Sequence, residues 1–135
     1  MKEKDLNKIL GVFANGTELN LGIYPNTIVV NYGYDYTEKE LTLYIQGSGK
    51  EIEKIKNYVE KNNAAHFNKW SKDGVFISGE GNAKILTTEE EKLKGLKKIM
   101  EQQTETERNS NVDKNEIINL FLLEITVKNI DVIKY

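Results

Sequence analysis

The spacing of apolar positions along this chain changes several times, and each change predicts a new element. Residues 23–36 (IYPNTIVVNYGYDY) and 41–46 (LTLYIQ) are rich in β-branched and aromatic side chains, which favours strands. The polar turn between them predicts an antiparallel hairpin, with Pro25 near the start of its first strand. A helix is predicted after residue 50, because apolar side chains then recur at helical spacing, in Ile52, Ile55, Tyr58 and Val59.

The remaining pattern adds strands, helices and polar connections. Gly79 and Gly81, inside one of these strands, predict a bulge or a close approach of another backbone. The order of elements predicts one domain over 1–135, an antiparallel β-barrel with helices packed outside. The segments are a short helix or turn at 5–13, a hairpin or loop at 15–22, strands at 64–70 and 74–86, a capped helix at 87–104, a polar connector at 105–116, and a final strand at 117–135, or two strands bent near Lys128–Asn129.

Composition and charge exclude several function classes. The chain has 135 residues, no cysteine and one histidine, His66, so thiolate sites and multi-histidine metal sites within one chain are excluded. A formal net charge of −2 argues against a nucleic-acid footprint, which would be basic. No apolar run has the ~18 residues of a membrane-spanning helix. The charged start MKEKDLNKIL lacks the apolar region of a signal peptide, and we expect a soluble, cytoplasmic protein.

The turn Gly47-Ser48-Gly49-Lys50 lies between a predicted strand and a predicted helix, a setting that favours phosphate binding. A nucleotide-binding P-loop is rejected. That loop needs a glycine where Tyr44 stands and a hydroxyl residue where Glu51 stands. On the residues alone, the turn could equally be a plain helix start with a solvated lysine.

Several segments, read in order, resemble a known family. They are YPNTIVVNYGYDY, LTLYIQGSGK, GVFISGEGNAKIL with the helix after it, and LLEITVKNIDVIKY. Together they resemble the pyridoxamine 5′-phosphate oxidase-like, FMN-binding split-barrel family, nearest its nitroimidazole-resistance-type branch. The resemblance covers about residues 9–135 and implies an antiparallel split β-barrel that binds FMN as a homodimer.

The resemblance also implies where the flavin binds. The phosphate would lie at the end of the second hairpin strand, and the edge of the ring would lie along the first strand, where backbone groups bind its polar atoms. The two chains would form the site together, so that partner residues near 73–78 and Trp70 line the ring. One departure concerns the phosphate, because Glu51 stands where many members carry a second basic residue. The implied cofactor-binding residues are Val29, Val30, Asn31, Tyr32, Gln46, Gly47, Ser48, Lys50 and Trp70.

The function that follows is an FMN-dependent oxidoreductase acting on a small substrate, with nitroreductase-like chemistry as one form. The sequence shows no nucleophile–base pair, so the catalytic residues stay unassigned, and His66 matches no family motif. The alternative is a non-catalytic carrier of flavin or haem on the same barrel. A third reading is a dimerisation barrel that has lost its ligand.

Overall fold

The computed structural model describes residues 3–23, 25–47, 50–103 and 120–134. The described chain is mainly antiparallel β, and its six strands form a closed barrel with three helices around it. The elements are α1 (Glu3–Ala14), β1 (Glu18–Ile23), β2 (Asn26–Thr37), β3 (Glu40–Gly47), α2 (Lys50–Lys61), β4 (Ala64–Trp70), β5 (Phe76–Ile85), α3 (Glu89–Gln102) and β6 (Phe121–Lys134).

The strand order around the barrel is β1-β2-β3-β6-β5-β4, with β4 closing back onto β1. The seam between β1 and β4 is short, with three residue pairs from Asn20–Asn68 to Gly22–His66. Every other neighbouring pair is longer, and β5 pairs with β6 over most of its length. The predicted antiparallel barrel is therefore confirmed, and the seam between β1 and β4 is its shortest ladder.

The helices cover the barrel in different ways. Ile9, Val12 and Phe13 of α1 enter the core at the end of the barrel where Phe13 meets Tyr34. Ile55 of α2 packs at the opposite end, beside Ile28 and Val30, which fits the amphipathic stripe read from the sequence. Helix α3 lies outside the wall, over β2 and β3. It buries a second cluster made of Tyr44, Leu86, Leu96, Ile99 and Leu122.

Most predicted elements are present. The expected hydroxyl cap of α3 is Thr88, whose side chain accepts a hydrogen bond from the N–H of Glu91. One expectation is wrong. Residues 15–22 were expected to form a hairpin or loop, but only Asn15–Gly16 turns, and β1 follows from Glu18 with Leu19, Leu21 and Ile23 facing the core. The polar connector expected at 105–116 lies outside the described residues.

The glycines of β5 lie where neighbouring backbone approaches closely. A Cβ on Gly79 would stand 2.8 Å from the Asn129 carbonyl oxygen, and one on Gly81 would overlap the Thr126 carbonyl. Opposite them, β6 bulges, because Glu80 pairs with Asn129 and Gly81 with Val127, which leaves Lys128 as the extra residue. The final strand is thus continuous, as the first of the two predicted alternatives had it, and it bulges at Lys128, near the place of the alternative bend. No helix of the described residues is long and apolar enough to span a membrane.

Candidate functional site

The wall of the barrel opens where the ladder between β2 and β3 ends. The last residue pair of that ladder is Asn31–Gln46, and β3 stops one residue later at Gly47. The first half of β2, from Asn26 to Val30, pairs only with β1. In the described chain, this stretch of β2 therefore has a strand neighbour on one side and none on the other.

The backbone groups at this opening can be assigned from the register. Tyr32 donates its N–H to the Thr17 carbonyl at 3.2 Å, so the Tyr32 backbone points toward β1. Backbone N–H and C=O groups of successive strand residues point to alternate sides, so Val30 also points toward β1, while Val29 and Asn31 point toward β3. Asn31 faces Gln46 in the ladder, but Val29 faces the opening beyond Gly47. Continuing this register would place Val29 opposite position 48, outside the described residues, so the Val29 amide and carbonyl point past the described end of β3.

Side chains beside the opening form a small outer surface. Val29 is 61% exposed, which is unusual for an apolar residue in a barrel strand. Asn31 is exposed, and Gln46, directly opposite it in the ladder, is half-buried. Gly47 leads from this surface toward the first turn of α2, which begins at Lys50. Four of the nine expected cofactor residues, Val29, Asn31, Gln46 and Gly47, therefore lie together.

Two of the other expected residues belong to the core. The side chain of Tyr32 is fully buried, and its hydroxyl donates a hydrogen bond to the Phe13 carbonyl and contacts the Asn15 carbonyl at 3.3 Å. Burial, helped by nearby Tyr34, raises the pKa of Tyr32 far above its usual range, so the phenol stays neutral. Val30 is buried as well, and its backbone pairs with Leu19. These two residues shape the wall, and neither presents its side chain to the opening.

Trp70 lies on the outer surface of the barrel but away from the opening. It is 52% exposed at the end of β4, and its ring packs on Phe76 with centroids 4.5 Å apart. Because β1 lies between β2 and β4, Trp70 is two strands from β2, or roughly 10 Å. Within one chain, Trp70 therefore does not line the opening. The turn residues Ser48 and Gly49, and the side chain of Lys50, lie outside the described residues.

Solved structures share the fold of this chain. The first is a candidate 5-nitroimidazole antibiotic resistance protein from Bacteroides thetaiotaomicron, with 18% identity, 94% of this chain and 82% of that chain covered, and a TM-score of 0.66. A candidate pyridoxamine 5′-phosphate oxidase from Listeria innocua has 20% identity, coverage of 94% and 96%, and a TM-score of 0.65. A pyridoxinephosphate oxidase family protein from Clostridium acetobutylicum, related to general stress protein 26 of B. subtilis, has 15% identity, coverage of 100% and 92%, and a TM-score of 0.68.

The fold of this chain is the pyridoxamine 5′-phosphate oxidase-like split barrel. A NimC/NimA family protein from Clostridium acetobutylicum also matches it, at 14% identity, coverage of 91% and 80%, and a TM-score of 0.56. No protein-family model and no curated protein matches the sequence, so the likeness lies in the structure. At these identities the comparisons establish the fold, and the resemblance read from the sequence is confirmed at that level.

Sequence reasoning missed the polar groups that close one end of the split barrel. The amide nitrogen of Gln102, at the end of α3, donates to the carbonyls of Phe13 at 2.8 Å and Gly16 at 2.7 Å. Lys69 is buried, and its ammonium donates to the Glu18 carbonyl at 2.8 Å. Burial lowers the pKa of Lys69, partly offset by Glu18. The signal for Lys69 was the alternation in AAHFNKW, which places it on the inward face with Phe67.

His66 lies on the outer face of the split barrel, away from the opening. Its imidazole is 68% exposed, and its Nδ1 stands 4.0 Å from a carboxylate oxygen of Glu80. Glu80 in turn accepts a hydrogen bond from the Asn129 side chain at 3.0 Å. No group of three or more His, Cys, Asp or Glu in the described residues is placed to hold a metal ion.

The residues at the opening fit the ring of a flavin. A flavin ring is flat, largely apolar and edged by hydrogen-bonding atoms. Val29 offers apolar surface together with a backbone amide and carbonyl, and Asn31 and Gln46 offer amide side chains. The beginning of α2, just beyond Gly47, offers the positive end of a helix dipole to an anion.

Proposed function

We propose that this protein binds FMN at the opening between β2 and β3 and acts as a flavin-dependent oxidoreductase on a small substrate. One observation carries the proposal. Among the described residues, the β2–β3 ladder ends at Asn31–Gln46, and the Val29 backbone points past the end of β3 toward the start of α2. The opening thus joins hydrogen-bonding groups suited to a ring with a helix N-terminus suited to a phosphate.

The ring end of the site rests on three described residues. In the proposal, the Val29 amide and carbonyl bind polar atoms along the edge of the ring, and Asn31 and Gln46 flank it. Val30 and Tyr32, which the resemblance also implied, contribute by holding β2 in the wall. A backbone contact of this kind orients a ring without any charged side chain, which agrees with the lack of an acid–base pair in the sequence.

The phosphate-binding part of the proposed site is inferred from the sequence of the turn and from the position of the N-terminus of α2. Gly47 and the N-terminus of α2 flank the two turn residues, and Ser48 and Lys50 are the side chains proposed to bind the phosphate. Charge-assisted hydrogen bonds from a lysine and from helix N–H groups are the usual means of holding such a group. Glu51 follows Lys50 directly, so we expect the affinity for FMN to be lower than with two adjacent cations.

The proposal includes a homodimer with the flavin between two chains. In one chain, the outer surface of β4 and β5 is exposed, with Trp70 at 52% and the Glu80 side chain at 49%. Trp70 is two strands from the opening of its own chain, so it lines a ring only in the site of a partner. Packing this face against a second copy would bury Trp70 and Phe76 together.

When bound, FMN supplies hydride and electron transfer, and the protein supplies position and shelter from water. The described side chains at the ring end, Val29, Asn31 and Gln46, are neutral, and their proposed task is to hold and orient the ring. A small substrate would lie against the exposed face of the ring. Reduction of the bound flavin by NADH or NADPH, followed by turnover of an electron acceptor, is the activity expected.

The first test is a titration of the purified protein into FMN, followed by flavin fluorescence, with riboflavin titrated in parallel. Saturable quenching by FMN, with riboflavin at least about tenfold weaker, supports a site for both ring and phosphate. Binding of neither flavin contradicts the proposal and favours the barrel that has lost its ligand.

A charge reversal at Lys50 tests whether this residue binds the phosphate of FMN or only supports the fold. Lys50→Glu should weaken FMN binding at least about tenfold, because it removes a cation and adds repulsion, and should barely change riboflavin binding. Lys56→Glu, on the exposed side of the same helix, is the matched control and should leave both affinities within about twofold. Equal losses for FMN and riboflavin in Lys50→Glu would show that the residue supports the fold and not the phosphate.

Glu51 favours one rival function, a carrier that holds flavin or haem without turnover, because a weaker phosphate site suits exchange of the ligand. The two functions differ in one measurement. An oxidoreductase reduces its bound FMN with a nicotinamide and passes the electrons to an acceptor over many cycles. A carrier binds FMN but shows no turnover above that of free FMN at the same concentration.

A further inference from the structure

A second cleft lies at the other end of β2, between the two helices α1 and α3. Its volume is about 530 Å³, within the range of pockets for small molecules. The floor is the end of β2 around Asp35, and the walls are one turn of each helix. This cleft is separate from the flavin opening, because Val29 and Asp35 are six residues apart on one strand, roughly 20 Å.

The position of the cleft is fixed by a close helix–strand contact. A Cβ on Gly33 would overlap backbone atoms of Lys98 and Ile99, so α3 lies directly on β2 at this glycine. One turn further along α3, Glu101 and Gln102 face the cleft. Gln102 is held by its bonds to Phe13 and Gly16. Both walls are therefore anchored to the barrel.

Among the described residues that line the cleft, the charges sum to −1. Asp35 and Glu101 are the acids and Lys98 is the base among the lining residues. The Lys98 ammonium lies 3.6 Å from Asp35 and 3.7 Å from Glu101, longer than a hydrogen bond to either. Asp35 also accepts a hydrogen bond from the Thr37 hydroxyl at 3.0 Å. Since a carboxylate accepts at about four lone-pair positions, Asp35 keeps acceptor capacity beyond Thr37 and Lys98. Asp35 and Lys98 are each only 30% exposed, so this charge is partly shielded from water.

Aromatic and aliphatic groups line the cleft beside these charges. Tyr34 and Tyr36 are half-buried, with Tyr34 tilted against Phe13 at 6.0 Å between centroids. Tyrosine rings attract cations over their faces and pack against flat apolar bodies. Leu10 and Ala14 of α1 add aliphatic surface to the opposite wall.

We propose that this cleft binds a small organic cation, an amine or guanidinium group carried on a short apolar or aromatic body. The carboxylates of Asp35 and Glu101 would bind the charged end, and Tyr34 and Tyr36 would pack on the body. An anion is disfavoured, because Lys98 is the cation among the described lining residues and lies between two acids. The proposal does not depend on flavin binding, since no residue is shared between the two sites.

The test uses the full-length chain, three probes and backbone amide NMR. The probes are 2-phenylethylamine, its neutral counterpart 2-phenylethanol, and the anion phenylacetate. We expect saturable shifts at residues 34–36 and 98–102 with the amine, and at least about tenfold weaker binding of the alcohol and of phenylacetate. Equal binding of amine and alcohol, no saturation with the amine at 20 mM (roughly 2 kcal/mol of binding free energy), or shifts confined to other residues would overturn the proposal.

Variants of the charged lining residues test whether the acids favour amine binding and Lys98 opposes it. Asp35→Asn and Glu101→Gln should each weaken amine binding about fivefold, and Lys98→Gln should strengthen it about threefold, because it removes the competing cation. Glu90→Gln, an exposed acid near the start of α3, is the control and should change the affinity less than twofold. The NMR spectrum reports folding of each variant, and Glu101→Gln keeps the test valid if Asp35→Asn unfolds. A weaker affinity in a folded Lys98→Gln variant would contradict the proposal.

Discussion

The two halves of β2 have the same regular alternation but different surroundings. The second half, from Tyr32 to Thr37, pairs with β3 and is covered by α3 at Gly33. The first half, up to Val30, pairs on one side and carries Val29 on an exposed surface. One strand thus serves as wall at one end and as a candidate ligand edge at the other. The difference comes from the neighbours of each half, since β1 pairs with residues 26–31 and β3 with residues 31–37, and from Gly33, which lets α3 lie on the second half.

The largest effect should come from the covered half. Gly33→Val would place a side chain where the backbone of Lys98 and Ile99 already lies, so α3 must move off the wall. We expect a loss of about 3 kcal/mol in the free energy of unfolding, measured by urea denaturation. Gly11→Ala, at a helix position with open space around it, is the matched control and should stabilise by up to about 1 kcal/mol. A loss under about 1 kcal/mol for Gly33→Val would contradict the close contact.

The exposed half shares its outer face with Trp70, which the proposed dimer would bury. Trp70→Glu should weaken self-association at least about tenfold, as expected when a central aromatic is replaced by a charge. Sedimentation velocity over a range of concentrations measures this change. Because Trp70 is half-exposed in one chain, urea unfolding of the dissociated protein should change little. Unchanged association would place the dimer contact elsewhere.

Tyr32, the first residue of the covered half, gives a prediction with a pH signature. Tyr32→Phe removes the hydroxyl bonded to the Phe13 carbonyl and should cost about 1–2 kcal/mol at pH 7. The pKa of Tyr32 is raised in the folded state above its ordinary value of 10.0. The stability that the phenol contributes is therefore complete below pH 10 and is lost as the pH rises above 10, where the unfolded chain ionises first.

The measurement for Tyr32 is urea unfolding of both proteins between pH 8 and pH 11, a window around the unfolded pKa of ~10. The difference in unfolding free energy between wild type and Tyr32→Phe should shrink in the upper part of that range. A difference that stays constant across the range would mean that the phenol ionises alike in both states. FMN affinity should be unchanged by this substitution, since the side chain faces the core.

The smallest effect should appear at the turn that ends the covered half. Glu38 and Lys39 join β2 to β3 with φ of 55° and 67°, values that side-chain-bearing residues disfavour. Lys39→Gly should stabilise the fold by about 0.5–1 kcal/mol, because glycine relieves the strained conformation. Lys72→Gly, in the exposed turn before β5, serves as control and should not stabilise. A loss of stability in Lys39→Gly would contradict the turn geometry.

Much of the fold could be read from the sequence because its signals are local. The alternation in β2 and β3, the stripe on α2 and the cap at Thr88 each lie within one element. Strand β1 was missed because Asn15–Gly16, Asn20 and Gly22 give a short segment the composition of a loop. Its alternating Leu19, Leu21 and Ile23 carried the opposite signal, and burial on the core face decided the outcome.

The candidate site was less predictable, because it depends on register and strand order. Alternation alone could separate Val29 and Asn31 from Val30 and Tyr32, but the side to which each backbone points follows from the two turns that flank β2. The distance of Trp70 from the opening depends on β1 lying between β2 and β4, which no local pattern encodes. Lys69 was not singled out from the sequence, since a lysine on an inward face is rare without a bonding partner such as the Glu18 carbonyl.

The place of β6 in the barrel has a consequence for synthesis of the chain. β6 comes last among the described strands, yet it lies between β3 and β5 and pairs with both. Until it emerges from the ribosome, the strands β5-β4-β1-β2-β3 can pair only as an open sheet, whose two edges, β3 and β5, are the ones that β6 will cover. Such open edges are where nascent chains pair wrongly with one another. Completion of this barrel is therefore a late, single step, and the interval before it is when a chaperone has the most to protect.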